Sequence, residues 1–468
     1  MSSSPHESPA AAGAALAQAG FARTEIDAWM HAAPERTAAL SSDMVAYGAF
    51  WKYSRELLAR LPAKPRRRPA EAAAAAVLLS AARVSRERFL RSHASAVYDS
   101  LTAGRSQFVR LDELCRRAGA SYPDLVPAQP QLQAEARLAQ GDKDGAEIDQ
   151  GLFLAHVLGG AGAGMHLCHA MLLPVAGARE RLGELERSGE IDLGAAHVQR
   201  RGKAAVVTMK NPRFLNAEDD STLAATELAV DLALLDPKTE VCVLRGGTVE
   251  NPKHAGRRVF GAGINLTHLY QGKIPFLWYL VRDLGYVNKL YRGLARPDVP
   301  PDEGSIEKLW IVPLERFAIG GHCQILLAVD YVLAAEDAYM TLPARKEGIV
   351  PGAANLRLPR FVGDRIARQA IMAERRIECA SPEGRLICDE VVPPEDMDAA
   401  LDRVVEKLTG SGVVSAAGNR RAFRIAQEPL DLFRRYMSVY AREQAYCHFS
   451  PALIANLEKN WNAASRAA

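Results

Sequence analysis

The sequence predicts an α/β core set between two helical regions, and three observations carry that prediction. Residues 1–195 are rich in Ala, Arg, Leu and Glu and hold no clear strand signal. From residue 196 short apolar runs alternate with helical patterns, the signature of strands joined by right-handed crossovers. From Asp396 onward the pattern is helical again. The expected organisation is an all-α N-terminal domain over 1–195, an α/β core over 196–395 and a C-terminal helical region over 396–468.

In the first region, Pro69–Ser92 carries strong helix formers and few β-branched residues. Glu147–Leu158 and Met165–Leu173 add apolar helical stretches, and Gly141–Gly145 (GDKDG) reads as a turn. In the core, His197–Gln199, the turn Arg201-Gly202-Lys203, and Ala204–Met209 read as strand, turn and strand. Asp219–Leu235 is a helical pattern stopped by Asp236-Pro237. Val241–Arg245, Leu309–Leu314 and Tyr331–Ala334 are further short apolar strands, and the chain is expected to turn at Arg357-Leu358-Pro359. The tail is expected to bury one apolar and aromatic face through Phe423, Leu432, Phe433, Tyr436 and Tyr440.

Composition narrows the function. Of 468 residues, 48% are hydrophobic and 24% charged, which excludes a mainly disordered chain. A net charge of +3, from 58 basic and 55 acidic residues, gives no support for a nucleic-acid partner. Seven cysteines without a Cys-x-x-Cys pair read as reduced thiols. The first twenty residues lack a basic segment followed by a Leu/Ile/Val-rich one, so no signal peptide is expected. The longest apolar stretch, Ala72–Ala82, is too short to span a bilayer. The expectation is a cytoplasmic protein that meets no membrane.

Four runs carry chemistry: Pro212–Ala217 (PRFLNA), Val259–Leu266 (VFGAGINL), Ala318–Gln324 (AIGGHCQ, entering a helix expected over 321–329), and Leu342-Pro343 through Gly348–Gly352 (GIVPG). The second and third each place glycine where backbone passes close to a ligand, then start a helix. Free N–H groups at such a start can donate to a developing oxyanion. Alone, Gly261 and Gly263 would read as a tight turn and Gly320-Gly321 as a close helix contact. Both runs in this order, with the other two in register, point to a paired oxyanion site.

These four runs, with Cys388–Pro393 (CDEVVP) after them, resemble the crotonase (enoyl-CoA hydratase/isomerase) superfamily over residues 197–410. The resemblance implies a repeated ββα spiral core, assembly from trimers, and a CoA-thioester enolate held by the backbone N–H groups of Ile264 and Gly321. The hydratases of that family use two glutamates as acid and base. The first belongs three residues after the oxyanion glycine, where this chain has Gln324, which does not titrate. The second belongs after the proline of the fourth run, where Ala344 stands, and the aspartate of the second run is replaced by Asn265. A simple hydratase is therefore not expected.

The branch that the chain resembles is the cofactor-free (3,5-dihydroxyphenyl)acetyl-CoA 1,2-dioxygenases of glycopeptide-antibiotic biosynthesis. The similarity rests on the helical N-terminal region, Leu215–Asp219 (LNAED), Gly261–Leu266, the insert from Tyr270–Lys273 to Arg282–Tyr286 (RDLGY), and Gly320–Gln324. It implies an arylacetyl-CoA and O2 as substrates and needs neither metal nor flavin, because the aryl carbanion is itself the reductant. It implies no cofactor beyond the CoA of the substrate, and a homo-oligomer, trimer or dimer of trimers. By the match, Glu218 contacts a ring hydroxyl, Arg282 faces the substrate and Gln324 hydrogen-bonds in the pocket. Ala262, Gly263, Val350, Pro351 and Gly352 line the thioester, Arg213 meets a CoA phosphate, and Leu266 and Ile349 form an apolar oxygen pocket. Another crotonase reaction (isomerisation, decarboxylation or hydrolysis) and a non-catalytic CoA-binding scaffold are the rival readings. Two further features are read as structural. His166, Cys168 and His169 have no third ligand at metal spacing, and Gly159–Gly164 lacks the strand and Gly-Lys-Ser/Thr ending of a phosphate loop.

Overall fold

The computed structural model describes residues 8–410 and 412–467. Among these described residues nine helices come first: α1 (Pro9–Gln18), α2 (Arg23–His31), α3 (Leu40–Ala59), α4 (Pro69–Leu101), α5 (Leu111–Ser121), α6 (Gln129–Glu135), α7 (Glu147–Gly159), α8 (Ala161–Leu172) and α9 (Ala178–Ser188). The core follows with β1 (Glu190–Asp192), β2 (Ala196–Arg201), β3 (Ala204–Met209), α10 (Asp220–Leu235), β4 (Val241–Gly246), α11 (Leu266–Tyr270), α12 (Leu277–Leu284), α13 (Tyr286–Arg292), β5 (Leu294–Ala295), β6 (Ser305–Ile306), β7 (Leu309–Leu314), β8 (Phe317–Ile319) and α14 (Gly321–Leu326). It continues with β9 (Tyr331–Ala335), β10 (Tyr339–Thr341), α15 (Ala344–Glu347), α16 (Ala354–Ala373), β11 (Ile377–Glu378) and β12 (Glu390–Val392). The tail is α17 (Met397–Thr409), α18 (Val413–Gln427), α19 (Leu430–His448), α20 (Pro451–Trp461) and α21 (Ala463–Ala467).

A seven-stranded sheet in the order β1-β2-β3-β4-β7-β9-β12 is the spine. β1, β2 and β3 form an antiparallel meander, and every later pair is parallel. β4 is buried along its whole length, as expected of a strand covered on both faces. β8 and β10 pair in parallel in a second, three-stranded sheet with β11 on its edge. α10 begins on a capping box in which Asp219 accepts from the Ser221 amide (3.0 Å) and Thr222 Oγ1 accepts from the Asp219 amide (3.0 Å).

The structure corrects four expectations. β1 lies inside the segment read as all-α; it is three residues long with only Ile191 buried, too short to show a period. The chain does not turn at Arg357-Leu358-Pro359: α16 runs through Pro359, which sits near its start, and the break falls at Gly363 (φ 76°). α14 stops at Leu326 rather than 329. Phe423 (63% exposed) does not share the buried face of Phe433 and Tyr440, because the tail breaks between α18 and α19, and Leu432, one residue before Phe433 on α19, falls on the helix's outer side.

The Gly159–Gly164 segment is the bend between α7 and α8, which meet at 108°. A methyl group on Gly164 would lie 2.6 Å from the Leu158 carbonyl oxygen and 2.7 Å from Arg434 Cδ, so close packing requires glycine there. No single helix among the described residues is long and apolar enough to cross a membrane. His166 Nδ1 meets the Tyr98 hydroxyl (2.7 Å) and His169 Nε2 meets the Arg296 carbonyl (2.7 Å).

Two buried ion clusters fasten the three stretches together. Lys289 Nζ in α13 is fully buried 2.8 Å from Asp231 and 2.8 Å from Glu227, both on α10, and Arg110 reaches Glu227 at 2.8 Å from the N-terminal region. Glu428, between α18 and α19, accepts from Arg292, Arg357 and Arg360 of the core. Removing one partner from such a cluster strands charge in a low-dielectric interior. Lys289→Met should therefore lower the unfolding free energy by about 3–5 kcal/mol in urea titrations, since it leaves Asp231 without its cation.

Candidate active site

The second and third motif runs meet side by side. Gly261 bridges Ala318 and Glu218 bridges Ile264, each in parallel fashion. The Glu218 amide donates to the Gly263 carbonyl (2.7 Å) and the Asn265 amide to the Glu218 carbonyl (2.8 Å). That pairing leaves the Ile264 amide pointing away from its partner strand. Gly321 opens α14, so its amide has no intrahelical acceptor. Among the described residues neither amide has a hydrogen-bond acceptor. Gly263 takes φ +79°, and a methyl group on it would lie 2.8 Å from the Ile319 carbonyl oxygen, just before Gly320-Gly321. Only glycine lets the two segments approach so closely.

Beneath Gly321 lies a buried ion pair. Arg282 Nε donates to Glu218 Oε1 (2.9 Å) and Nη2 to Glu218 Oε2 (2.9 Å), a bidentate contact. Nη2 also donates to the Gly321 carbonyl (2.7 Å), and Nη1 donates to Asp283 Oδ1 (2.7 Å) and Gln324 Oε1 (2.9 Å). All five guanidinium N–H groups are thus engaged within the protein. The Tyr286 hydroxyl donates to Glu218 Oε1. Burial opposes the Glu218 charge, but the Arg282 guanidinium outweighs it and holds the carboxyl below its ordinary value. Glu218 and Arg282, read from sequence as two separate substrate contacts, are hydrogen-bonded to each other beside the Gly321 turn.

His322 is buried against Gly261, whose missing side chain makes room for the imidazole. The Gly263 amide donates to His322 Nδ1 (3.1 Å), which assigns the ring proton to Nε2. Asn265 replaces the family aspartate and braces the loop instead. Its Nδ2 donates to Asp219 Oδ2 (2.9 Å) and its Oδ1 accepts from the His268 amide (3.2 Å). The fourth run closes on the same place. A methyl group on Gly352 would lie 2.5 Å from Gln324 Oε1, the Tyr436 hydroxyl donates to the Gly352 carbonyl, and the Val350 amide donates to Gln444 Oε1 (2.8 Å).

The other sequence-derived candidates are placed as follows. Ala262 lies beside the bridge and its amide donates to the Leu215 carbonyl (3.1 Å). Pro351 is buried. Leu266 is 9% exposed at the start of α11, whereas Ile349 is half-buried before Gly352, so the two apolar candidates stand on separate stretches of chain. Arg213 is exposed, its guanidinium 5.4 Å from the Phe214 ring centre. Sequence reasoning missed Asp283, Tyr286, His322 and Tyr436. The first two stood in the RDLGY match and the third between Gly321 and Gln324, but nothing in the residue string marks a buried partner.

Burial pushes His322 down to about 4 from 6.5. A histidine held neutral in this way stabilises the fold fully above its unfolded value and loses that stabilisation as pH falls from 6.5 towards 4. The full loss is roughly 3 kcal/mol at about 1.4 kcal/mol per pH unit. His322→Asn, whose Oδ1 can accept from Gly263, should show an unfolding free energy less dependent on pH between 7 and 4 by that amount, read from urea titrations at both ends.

The family model described as enoyl-CoA hydratase/isomerase matches residues 303–434. The (3,5-dihydroxyphenyl)acetyl-CoA 1,2-dioxygenase of Amycolatopsis orientalis is 47% identical over 396 residues, covering 83% of this chain and 89% of that protein. The carnitinyl-CoA dehydratase of Salmonella enteritidis PT4 (strain P125109) is 26% identical over 247 residues, covering 52% and 85%. Among solved structures, an enoyl-CoA hydratase from Mycobacterium avium subsp. paratuberculosis K-10 is 21% identical, with a TM-score of 0.47 over 57% of this chain and 98% of that one. An enoyl-CoA hydratase/isomerase from Xanthobacter autotrophicus Py2 is 19% identical, with a TM-score of 0.49 over 59% and 98%. With nearly half its residues shared along most of both chains, this protein belongs to the crotonase superfamily, in the family of the (3,5-dihydroxyphenyl)acetyl-CoA 1,2-dioxygenase.

Proposed function

We propose that this protein is an arylacetyl-CoA dioxygenase that converts (3,5-dihydroxyphenyl)acetyl-CoA and O2 to (3,5-dihydroxyphenyl)glyoxylate and CoA, without metal or flavin, in glycopeptide-antibiotic biosynthesis. The observation that carries the reading is the 47% identity along the dioxygenase relative; it is supported by the Ile264 and Gly321 amides, which have no acceptor among the described residues, and by glutamine at position 324. The thioester carbonyl oxygen lies against the amides of Ile264 and Gly321, where preorganised donors favour the enolate over the ketone form. Loss of a Cα proton gives a carbanion delocalised over carbonyl and aryl ring. It passes one electron to O2, and the two radicals join at Cα. The peroxide attacks the thioester carbonyl, and collapse expels the CoA thiol and leaves the arylglyoxylate. One O2 is consumed per thiol released, so the electrons balance without a further oxidant.

The Glu218–Arg282 unit supports this chemistry by fixing Gly321 through its carbonyl, and Gln324 and Asp283 through Nη1. Leu266 and Ile349 remain the proposed apolar contacts of O2. A trimer or a pair of trimers is part of the proposal; Val414, Phe423 and Ile425 on α18 are apolar surface available to such an assembly.

Oxygen uptake and free thiol, measured with (3,5-dihydroxyphenyl)acetyl-CoA under a strong chelator, should rise together in equal amounts and be undiminished by the chelator. Thiol without oxygen uptake would identify a hydrolase, and binding without either would identify a scaffold. Gly321→Ala puts a methyl group 2.8 Å from Glu218 Oε2 and 3.0 Å from Arg282 Nη2. That variant should lose about 100-fold in kcat, because the displaced turn carries an oxyanion donor.

A further inference from the structure

The proposed reaction leaves the Cα proton without an acceptor. Two polar groups of the site are already committed. Glu218 Oε1 accepts from Arg282 and Tyr286, and Oε2 accepts from Arg282. His322 Nδ1 accepts from the Gly263 amide. Gln324 occupies the position at which hydratases carry a carboxylate, and it has no basic lone pair of useful strength.

A carboxylate nevertheless stands at that place, delivered from a different part of the chain. Asp283, in the insert helix α12, is 3% exposed. Its Oδ1 and Gln324 Oε1 accept from the same Arg282 Nη1, at 2.7 and 2.9 Å. Opposite them is Gly352, where a methyl group would lie 2.5 Å from Gln324 Oε1 and 2.7 Å from Asp283 Oδ2. Asp283 Oδ2 therefore packs beside Gln324 Oε1 against Gly352, next to the side chain that follows Gly321 by one turn of α14. Among the described residues it accepts no hydrogen bond.

We propose that Asp283 is the catalytic base that takes the Cα proton of the arylacetyl thioester, filling in space the role that position 324 has lost. This rests on the dioxygenase reading of the site. The Cα–H bond breaks, the proton goes to Asp283 Oδ2, and the electron pair enters the thioester carbonyl to form the enolate. No oxidant takes part in this step, and the proton later returns to the departing CoA thiolate. Burial raises the Asp283 carboxyl from its ordinary value against the opposing pull of Arg282, which suits a group that must accept a proton. Arg282 thereby serves twice. It aims the oxyanion turn, and because Glu218 neutralises it, Asp283 is left with a single donor and one free oxygen.

The test separates proton removal from oxygen chemistry. Under anaerobic conditions in D2O, (3,5-dihydroxyphenyl)acetyl-CoA incubated with the wild-type enzyme should gain deuterium at Cα, read by mass spectrometry. Asp283→Asn keeps the side-chain volume and leaves Arg282 paired with Glu218, so it should fold and bind the thioester. Its exchange rate and its aerobic oxygen uptake should both fall at least about 100-fold, while the dissociation constant of the thioester changes by less than about threefold. Asp283→Ser is the second variant, read the same way should the first not fold. Adding Gln324→Glu to Asp283→Asn should recover exchange by about tenfold or more, since it returns a carboxylate to the same space. Exchange in either single variant within about threefold of wild type would overturn the assignment. A wild-type enzyme that exchanges deuterium in an Asp283-dependent way but consumes no oxygen would leave Asp283 assigned and remove the dioxygenase reading instead.

Discussion

The site depends on one interaction, the buried pair between Glu218 and Arg282. A carboxylate and a guanidinium are expensive to remove from water, and the loss is offset only when geometry is good and every remaining donor is satisfied. Here the fork is bidentate and all five N–H groups are used. The pair joins three separate stretches of chain: the start of α10, the insert helix α12 and the first turn of α14. Because Arg282 holds both the Gly321 carbonyl and Gln324, the orientation of the Gly321 turn follows from it. An ion pair that looks structural is thus what aims the backbone.

Much of the fold was legible because its signals are local. β3, β4, β7 and α10 fall close to where apolar runs and the Asp236-Pro237 stop predict them, since each is a continuous segment with its own period and boundary. β1 and the course of α16 were not, because a three-residue strand has no period and a proline near a helix start costs only one hydrogen bond. The site divides in the same way. Glycine-rich turns announce themselves, so Gly263, Ile264 and Gly321 could be picked out in order. Asp283, Tyr286 and Tyr436 matter through contacts that span 68 to 84 residues or cross between helices, and no spacing rule reports those. Arg282 was found through family resemblance, but its pairing with Glu218 needed the folded chain.

The N-terminal helices take part in shaping the site from a distance. The Phe276 amide at the head of α12 donates to Glu147 Oε2 (2.8 Å), and Lys143 Nζ donates to the Gly272 carbonyl (2.8 Å). Gly272 takes φ +74°, and a methyl group there would lie 3.0 Å from Lys143 Cε, so the insert passes the helical region with nothing to spare. α19 packs along α7. At Gly151 the three stretches meet: a methyl group would lie 2.5 Å from Ala445 Cβ of the tail and 3.2 Å from Phe276 Cζ of the insert.

That junction has a consequence for the order in which the protein is made. Glu147 leaves the ribosome 129 residues before Phe276, so the surface that seats the insert exists before the insert does. α19 is synthesised long after α7, so the flank of α7 that it covers stays open until translation is nearly complete. A chain stalled before residue 430 would carry the insert, Glu218, Arg282 and both glycine turns, yet expose the apolar flank of α7 that α19 covers. Such a chain is a natural client for holding factors that bind unburied hydrophobic helices.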